Sequence, residues 1–206
     1  VLVHNTGGMK KMSRTRAVLT HNAGPVAGLH GALYVGLQYG LENVIFTDMG
    51  GTSFDIGVIT GGRLRTYDFI PLIDRWRTNI PAVEVKSIGA GGGSIAWVKK
   101  LLGNALGVGP HSAGSMPGPA CYDQGGQEPT VTDADLVLGY LNPENYLGGR
   151  MFLDPDLSEE AIRTKIAEPL GIDVLEAAVR IRRTVDARMG QEVFNEVALK
   201  GHDPRD

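Results

Sequence analysis

Apolar positions in the first part of the chain follow a helical repeat. The repeat covers residues 23–39, where Gly24-Pro25 lies near the first turn and Gly40 is placed to cap the C-terminus. Its apolar stripe consists of Val26, Leu29, Leu33 and Leu37. Three small residues in the same segment leave room for a neighbouring element to pack closely: Gly28, Gly31 and Gly36. The pattern therefore predicts a helix that packs against another element.

Short apolar runs after this helix predict β-strands. The runs cover 43–47, 54–60 and 63–69, and Gly61-Gly62 forms the turn between the last two. The segment 74–85 is irregular at first and then extended. A helix that leads into a three-stranded meander predicts an α/β fold.

Glycine-rich segments dominate the middle of the chain. The run at 89–93 precedes a predicted helix at 94–102. The segment 107–126 is rich in glycine and proline and is predicted to be a loop. A loop of this length in a compact domain is usually functional or disordered.

The last third of the chain is predicted to be helical. A short helix covers 132–141, with Thr132 or Asp133 as its N-terminal cap. Ser158 is predicted to cap a second helix, since acidic residues follow in its first turn. A long amphipathic helix is predicted at 174–199. The helices complete a mixed α/β pattern.

Composition restricts the class of protein. The 206 residues suffice for one large domain or a domain with a subdomain, and the net charge of −3 gives no nucleic-acid or anionic-membrane surface. No apolar run approaches the roughly 18 residues that span a bilayer. Cys121 is the only cysteine, so an internal disulfide and a cysteine-based zinc cluster are excluded, and a reducing cytoplasm is the expected compartment.

Both termini suggest a piece of a larger polypeptide. The chain starts at Val1 with a short strand that leads to a turn at Gly7-Gly8, without an initiator methionine or a signal peptide. It stops at Asp206, within a polar segment that is expected to lead into another element. We therefore expect both ends to be truncated.

The segment from Asp48 to Asp55 has the composition of a phosphate-binding turn. Glycine lets backbone N–H groups converge on phosphate oxygens, because no Cβ blocks the approach. Two carboxylates seven residues apart flank the turn and are candidates to hold Mg²⁺ or to orient an attacking group. An ordinary two-residue hairpin needs only the glycines, so the hydroxyls and acids favour function. The phosphate-binding candidates are Gly50, Gly51, Thr52 and Ser53, and the catalytic and metal-binding candidates are Asp48 and Asp55.

A second glycine cluster is a candidate for anion binding. The residues from Gly91 to Ala96 match G-x-G-x-x-A, the dinucleotide fingerprint. The acid that the fingerprint requires about 20 residues later for the ribose is absent from 109–118. A glycine loop before a helix suits any anion, whereas close packing against a strand needs the same glycines. The candidate ligand-binding residues are Gly91, Gly92, Gly93 and Ser94.

The third glycine-rich segment contains possible nucleophiles without a recognisable arrangement. His111, Ser112, Ser115 and Cys121 lie in or beside it. No G-x-S-x-G nucleophile elbow is present, and a lone cysteine is more often a small buried apolar residue. The chain also lacks a Walker A sequence, which excludes a P-loop NTPase.

Long ordered blocks of sequence resemble a known family. The segments are Val44–Asp55 after its helix, Ser87–Ala96, Val108–Tyr122 and Pro129–Gly139. The first resembles the second phosphate hairpin of the actin/Hsp70/sugar-kinase superfamily. Together the segments resemble the hydantoinase A family, which includes ATP-dependent N-methylhydantoinases, 5-oxoprolinases and homologous subunits of acetone and acetophenone carboxylases.

The resemblance implies an actin-like (ribonuclease H-like) ATPase lobe with a mixed sheet and flanking helices. Residues 1–206 would form part of a hydantoinase A-like ATPase domain, whose second lobe contains the phosphate-binding hairpin at 44–60. A first phosphate hairpin and a nucleotide-closing glycine stretch belong to the family pattern but not to this chain. The fragment is therefore expected to be inactive alone.

The activity implied by the resemblance is ATP-dependent and uses Mg²⁺. The parent enzyme would phosphorylate an amide or enolate oxygen, and hydrolysis of a cyclic amide or carboxylation of a ketone would follow. The implied partners are a hydantoinase B-like subunit and, for a carboxylase, a small third subunit. In this interpretation residues 50–53 hold phosphate, Asp48 and Asp55 serve Mg²⁺ or water, and residues 91–94 line the cleft.

Two other functions use the same fold. One is a chaperone- or regulator-like ATP switch, which would need a peptide-binding β domain after the second lobe. The other is an assembly subunit without catalysis, against which the intact Asp48 and Asp55 argue. Neither the identity of the substrate nor the choice between hydrolase and carboxylase follows from the sequence.

Overall fold

The chain folds as a mixed α/β protein of two compact units, consistent with the predicted fold class. A computed structural model describes residues 1–68, 72–73, 75–99 and 103–205. Unit 1 comprises Val1–Asp48, Asp55–Ser87 and Glu196–Asp206, and unit 2 comprises Met49–Phe54 and Ile88–Asn195. The turn between the third and fourth strands therefore belongs to unit 2, while most of both strands belongs to unit 1.

The described residues contain ten strands and five α-helices. The strands are β1 (Leu2–Val3), β2 (Met9–Lys10), β3 (Val44–Met49), β4 (Phe54–Thr60), β5 (Arg63–Leu64), β6 (Leu72–Ile73), β7 (Trp76–Arg77), β8 (Lys86–Ile88), β9 (Ser94–Lys99) and β10 (Ala105–Ser112). The helices are α1 (Ala23–Gln38), α2 (Val131–Val137), α3 (Pro155–Ile162), α4 (Glu168–Leu170) and α5 (Val174–Leu199). A π-helical turn at Arg163–Ala167 joins α3 to α4.

Unit 1 is built on a four-stranded sheet centred on β4. This strand pairs with β3, with β5 and with β8, and β4 and β5 are antiparallel. Helix α1 contributes Val26 and Leu29 to a core that also contains Ile59 of β4. The predicted helix and the first two predicted strands are confirmed. The third strand is shorter than predicted, since β5 ends at Leu64, and the end of the predicted strand at Phe69 lies outside the described residues.

Two of the three helix glycines allow close packing, as predicted. A Cβ on Gly28 would lie 2.6 Å from Phe46, and one on Gly36 would lie 2.9 Å from Val44. Gly31 has no neighbour within 4 Å of a built Cβ, so the prediction is wrong there. The packing side of α1 therefore runs through Gly28 and Gly36.

Gly57 of β4 provides a stability test of unit 1. An added Cβ would lie 2.6 Å from Leu29, which is 1% exposed. We expect Gly57→Ala to lower the free energy of unfolding by about 1–3 kcal/mol, because overpacking forces the core to shift. The measurement is urea unfolding. The matched control is Gly31→Ala within α1, which we expect to stabilise the protein by about 0.5–1 kcal/mol. Equal effects of the two substitutions on the free energy of unfolding would contradict the close packing of Gly57 against Leu29.

Unit 2 begins with an antiparallel hairpin where the sequence suggested a helix and a loop. Strands β9 and β10 pair in register from Ala105 with Lys99 to Val108 with Ala96. The helix predicted at 94–102 is therefore wrong over Ser94–Lys99, and residues 100–102 lie outside the described residues. The predicted loop at 107–126 is also wrong over its first six residues, which are part of β10. Pairing between β9 and β10 satisfies the backbone hydrogen-bonding groups of both strands, and it outweighs the local preference of residues 94–99 for a helix.

The helix caps in unit 2 differ from the prediction. The N-cap of α2 is Thr130, and Asp133 at the third helical position completes a capping box. The N-cap of α3 is Asp154, whose Oδ1 accepts hydrogen bonds from the N–H groups of Asp156 and Leu157. The predictions of Thr132 or Asp133 for the first cap and of Ser158 for the second were therefore wrong. Ser158 is fully buried and has another role, described below.

The long helix α5 is confirmed with the predicted bounds, Val174–Leu199. Its buried side chains in unit 2 recur at helical spacing: Ala177, Ala178, Ile181, Val185 and Met189. The N–H of Glu176 in its first turn donates to the side chain of Asp173 at 2.7 Å. None of the helices in the described part of the chain is long and apolar enough to cross a membrane.

Candidate functional site

The turn between β3 and β4 packs directly on the second glycine cluster within unit 2. The N–H of Gly92 donates to the carbonyl of Gly50 at 3.0 Å, and the N–H of Gly93 donates to the carbonyl of Gly51 at 2.7 Å. A Cβ on Gly91 would lie 2.6 Å from the Gly50 oxygen. Gly91 is therefore required by the close approach of the two backbone segments.

The two glycine segments differ in which N–H groups remain available. In the cluster, Gly91 donates to Ser94 Oγ at 2.9 Å and Ser94 donates to the Gly91 carbonyl at 3.0 Å, so the N–H groups of all four residues 91–94 are occupied. In the turn, no described residue accepts a hydrogen bond from the N–H of Gly51, Thr52 or Ser53. An anion can thus be bound by the N–H groups of the turn but not by those of the cluster.

The hydroxyl of Ser112 in the third glycine-rich segment reaches the same turn. Ser112 Oγ lies 3.5 Å from Thr52 Oγ1, and it accepts a hydrogen bond from the N–H of Gly114 at 3.1 Å. The N–H of Ala113 donates to the carbonyl of Gly93 at 2.8 Å. The three glycine-rich segments, far apart in sequence, therefore meet within unit 2.

A cavity of about 270 Å³ opens beside these segments. One part of its wall is formed by glycines, and the remainder carries polar and apolar side chains. The glycine part consists of Gly50, Gly51, Gly92, Gly93 and Gly114. The remaining lining consists of Met49, Pro119, Tyr122, Thr132, Asp135, Leu141 and Tyr146. The cavity therefore combines exposed backbone with one carboxyl group and two phenols.

The carboxyl group of Asp135 is held by an arginine of α5. Arg182 Nη1 donates to Asp135 Oδ1 at 2.6 Å, and Arg182 Nε donates to both oxygens of Asp186 at 3.0 and 3.1 Å. Burial raises the pKa of Asp135 above its usual value, although the hydrogen bond from Arg182 opposes the shift. Asp135 is therefore a fixed carboxyl group whose pKa is raised despite its ion pair.

The two phenols of the cavity are hydrogen-bonded to each other. The hydroxyl oxygens of Tyr122 and Tyr146 are 2.9 Å apart, and their ring centroids are 5.8 Å apart. Burial, and then the bond to Tyr146, raise the pKa of Tyr122. Only one of the two phenolic protons is donated in the hydrogen bond between the tyrosines. The other phenolic proton is therefore available to donate a hydrogen bond to a ligand.

A buried carboxyl group fixes the loop that forms one side of the cavity. Asp133 is 0% exposed, and its oxygens accept hydrogen bonds from five donors. The donors are the N–H groups of Ala120, Cys121 and Thr130 and the hydroxyls of Thr130 and Ser158. Asp133 thereby ties the segment after Pro119 to the starts of α2 and α3.

The predicted catalytic and metal-binding carboxylates belong to unit 1. Asp48 is exposed near the end of β3, and Asp55 is 8% exposed at the second position of β4. The hydroxyl of Ser87 donates to Asp55 Oδ1. Within the described ranges no three His, Cys, Asp or Glu side chains come together as a metal site. Carboxylates of this kind suit Mg²⁺, which usually takes one or two from the protein and completes its shell with water and phosphate oxygens.

The other possible nucleophiles do not form a catalytic arrangement. Cys121 is 0% exposed, and burial raises the pKa of its thiol, followed by the effect of Asp133. Its thiol therefore packs as an apolar group, as the sequence suggested. His111 and Ser115 are exposed, and among the described residues the hydroxyl of Ser112 contacts only the hydroxyl of Thr52 and the N–H of Gly114.

A second cavity, in unit 1, has a similar volume of about 270 Å³. Its lining is formed by Asn43, Val44, Ile45, Val58, Ile59, Thr60, Val197, His202, Asp203 and Pro204. None of the glycine-rich segments contributes to it. The predicted phosphate-binding residues therefore favour the cavity of unit 2 as the functional site.

An α/β fold with a glycine turn on a polar cavity is typical of a ligand-binding enzyme domain. Residues 1–206 match the hydantoinase/oxoprolinase family. The chain belongs to that family, as its resemblance implied.

Similar proteins include subunits of two enzymes. The chain is 51% identical over 206 residues to the acetophenone carboxylase gamma subunit of Aromatoleum aromaticum, covering 100% of this chain and 28% of that protein. It is 47% identical over 196 residues to the caprolactamase subunit alpha of Pseudomonas jessenii, covering 94% of this chain and 27% of that protein. The chain therefore spans little more than a quarter of the length of these relatives.

A solved structure of acetone carboxylase has the same fold. The structure is the nucleotide-free form of an enzyme described as catalysing ATP-dependent acetone carboxylation. It matches with a TM-score of 0.85 and 34% identity, over 98% of this chain and 28% of that chain. ATP dependence is stated for two of the solved relatives, acetone carboxylase and the caprolactamase of Pseudomonas jessenii.

Sequence reasoning missed part of the site. Asp135 was not among the predicted site residues, and its pairing with Arg182 was not identified from the sequence. The partners are 47 residues apart and lie on different helices. The tyrosine pair, 24 residues apart, was also missed. The two acidic residues at the start of α2, Asp133 and Asp135, were the only indication of this part of the site in the sequence. A single sequence does not show which residues they contact.

Proposed function

We propose that this chain is the ATP-binding portion of a larger enzyme subunit that phosphorylates the oxygen of a small amide or enolate. The substrate is a cyclic amide or a ketone, and hydrolysis or carboxylation follows. The names of the similar proteins support this class of reaction. Because the chain spans 28% of the acetophenone carboxylase subunit, the activity requires the remainder of the protein and its partner subunits.

The observation that carries the proposal is the set of free N–H groups in the glycine turn. Those of Gly51, Thr52 and Ser53 have no acceptor among the described residues, and Gly51 lies on the wall of the cavity. No atom lies within 4 Å of a Cβ built on Gly51. A phosphate can therefore approach this backbone closely and accept several hydrogen bonds.

The second glycine cluster has a supporting role in this proposal. Gly91, Gly92, Gly93 and Ser94 line or support the nucleotide cleft by holding the turn through Gly50 and Gly51. The N–H groups of Gly92 and Gly93, bonded to the carbonyls of Gly50 and Gly51, fix the backbone of the turn before a ligand arrives, which reduces the cost of organising the site.

Asp48 and Asp55 are proposed to serve Mg²⁺ or a water bound to it. The metal would neutralise charge on the phosphates during transfer. The hydroxyl of Ser87 fixes the carboxyl group of Asp55, whereas Asp48 is exposed and accessible to a hydrated ion.

The proposed assembly follows the relatives. A hydantoinase B-like subunit, and for a carboxylase a small third subunit, would complete the enzyme in the cytoplasm. The names of the relatives as alpha, beta or gamma subunits support an assembly.

The proposal predicts that ATP is consumed only when a carbonyl substrate is present. The test uses the complete subunit purified with its partners and follows nucleotide and phosphate by ³¹P NMR. The substrates are caprolactam, 5-oxoproline, and acetone or acetophenone with bicarbonate. We expect at least one compound to raise ATP consumption 100-fold or more (~3 kcal/mol of barrier), with matching product.

Two controls show whether ATP consumption depends on the carbonyl substrate and on Mg²⁺. Omitting the carbonyl compound should return ATP consumption to background, and chelating Mg²⁺ should abolish it. ATP consumption that persists without any carbonyl compound, and responds to unfolded peptides instead, would show an ATP switch and contradict the proposal. Absence of ATP binding would identify a noncatalytic assembly subunit.

A further inference from the structure

Among the described residues that line the cavity of unit 2, Asp135 is the only one with a carboxyl group. Its side chain is 14% exposed, so it is largely withdrawn from solvent while it faces the cavity. The neighbouring lining is formed by neutral groups, including the hydroxyl of Thr132 and the phenols. A single acidic group among neutral lining residues, with its ion-pair partner Arg182 outside that lining, is suited to accept a proton from a neutral ligand.

Arg182 orients this carboxyl group and leaves one oxygen available. The bond from Arg182 goes to Oδ1 of Asp135, and no described residue donates a hydrogen bond to Oδ2. Arg182 is held in turn by Asp186, and its guanidinium lies 5.6 Å from the ring centroid of Tyr140. The raised pKa of Asp135 increases its basicity once it is ionised.

The proposed function requires a proton acceptor next to the substrate carbonyl. Phosphorylation of a ketone oxygen as an enol requires loss of a proton from the adjacent carbon. Phosphorylation of an amide oxygen as an imidate requires loss of the N–H proton. Both substrates share a carbonyl group with a removable proton on the adjacent atom.

We propose that Asp135 is the general base that removes this proton, and therefore a catalytic residue; the inference rests on the proposed function. The C–H or N–H bond breaks, and its proton forms an O–H bond with Oδ2 of Asp135. The electron pair of the broken bond forms C=C or C=N, and the carbonyl π electrons move to oxygen. That oxygen bonds to the terminal phosphorus of the nucleoside triphosphate, and the nucleoside diphosphate leaves with the P–O electron pair.

The tyrosine pair fits the same ligand. The phenolic proton that is not shared between Tyr122 and Tyr146 can donate a hydrogen bond to the carbonyl oxygen as negative charge develops there. The volume of about 270 Å³ accommodates a small ring or an aryl ketone. The substrate class is thus a small, neutral carbonyl compound.

The test compares Asp135→Asn with wild type in the complete enzyme. The amide keeps the shape of the side chain and an oxygen for Arg182 but cannot act as the base. We expect kcat for ATP consumption with the carbonyl substrate to fall at least 100-fold, since general bases contribute about 10²–10⁴-fold. ATP affinity, measured by calorimetry, and KM for the carbonyl compound should change less than about threefold.

A second measurement is independent of ATP consumption. In D₂O without nucleotide, ¹H NMR follows exchange of the α-protons of the ketone. We expect wild type to accelerate this exchange above buffer and Asp135→Asn to lose the acceleration. The matched control is Glu176→Gln, which changes an exposed ion-pair partner of Arg180 on α5 and should leave both rates unchanged.

The outcomes separate the two proposals. Retention of kcat and of proton exchange within threefold in Asp135→Asn would overturn the assignment of the base while leaving the proposed function intact. Proton exchange that depends on Asp135 in an enzyme that never consumes ATP would overturn the proposed function but support the base. Should Asp135→Asn lose ATP affinity through misfolding, Asp135→Glu decides: it retains a carboxylate, so a folded variant that binds ATP should keep part of the proton exchange and of kcat, and loss of both to background would contradict the assignment.

Discussion

Replacing Asp133 by alanine is expected to lower the stability of unit 2 by about 3–5 kcal/mol, the range of a broken buried hydrogen-bond network. The carboxyl group is 0% exposed and accepts hydrogen bonds from five donors. Alanine would leave these donors buried without an acceptor, and water has no direct access to replace it. The loop after Pro119 and the starts of α2 and α3 would lose their common partner.

The measurement is hydrogen–deuterium exchange in peptides that cover residues 117–135, combined with urea unfolding. In Asp133→Ala the N–H groups of Cys121 and Thr130 should exchange several hundredfold faster, the equivalent of about 3–4 kcal/mol. The control is Glu159→Ala on the exposed side of α3, which should change stability by less than about 0.5 kcal/mol. A loss below about 1 kcal/mol for Asp133→Ala would show that the network contributes little.

The sequence was sufficient to predict the elements whose own residues determine their secondary structure. Helices α1 and α5 were predicted because their apolar residues repeat over several turns, and strand β4 because it is a short apolar run between two glycine turns. In α5 the bounds agree fully, since a 26-residue periodic segment has little ambiguity.

Elements that depend on distant partners were predicted less well. Ser94–Lys99 suits a helix or a strand on its own, and its pairing with β10 decides the outcome. Ser158 was assigned to a cap because acids follow it, but its hydroxyl donates to Asp133, 25 residues away. Local signals locate a helix approximately, whereas tertiary hydrogen bonds decide which residue caps it.

The candidate site shows the same division. The turn at residues 50–53 was found from its glycines, hydroxyls and flanking acids, all of which are local signals. The anchoring of Asp135 by Arg182 needed the fold, because the two residues lie on α2 and α5. Both glycine segments looked alike in sequence, yet only the turn keeps N–H groups free among the described residues.

This difference between the glycine segments gives two substitutions with different expected effects on stability. At Gly51 an added Cβ meets no atom within 4 Å, so the fold accommodates alanine. At Gly91 the same Cβ would lie 2.6 Å from the Gly50 oxygen and 2.9 Å from the backbone of Gly51. Backbone atoms cannot move aside as the end of a side chain can, so Gly91→Ala is expected to destabilise unit 2.

Gly51→Ala is expected to reduce kcat/KM for ATP by about 100- to 1000-fold, the effect of losing one or more donors to phosphate oxygens. The methyl group would occupy the approach to the N–H groups of the turn, while the free energy of unfolding should change by less than about 1 kcal/mol. The measurements are substrate-dependent ATP consumption and ATP affinity in the complete enzyme, with urea unfolding of the same preparation. Gly51→Ala should lose activity without losing stability, whereas Gly91→Ala should lose both activity and stability. Normal ATP affinity and turnover in Gly51→Ala would contradict a phosphate site at this turn, because a ligand in contact with the backbone cannot tolerate the added methyl group.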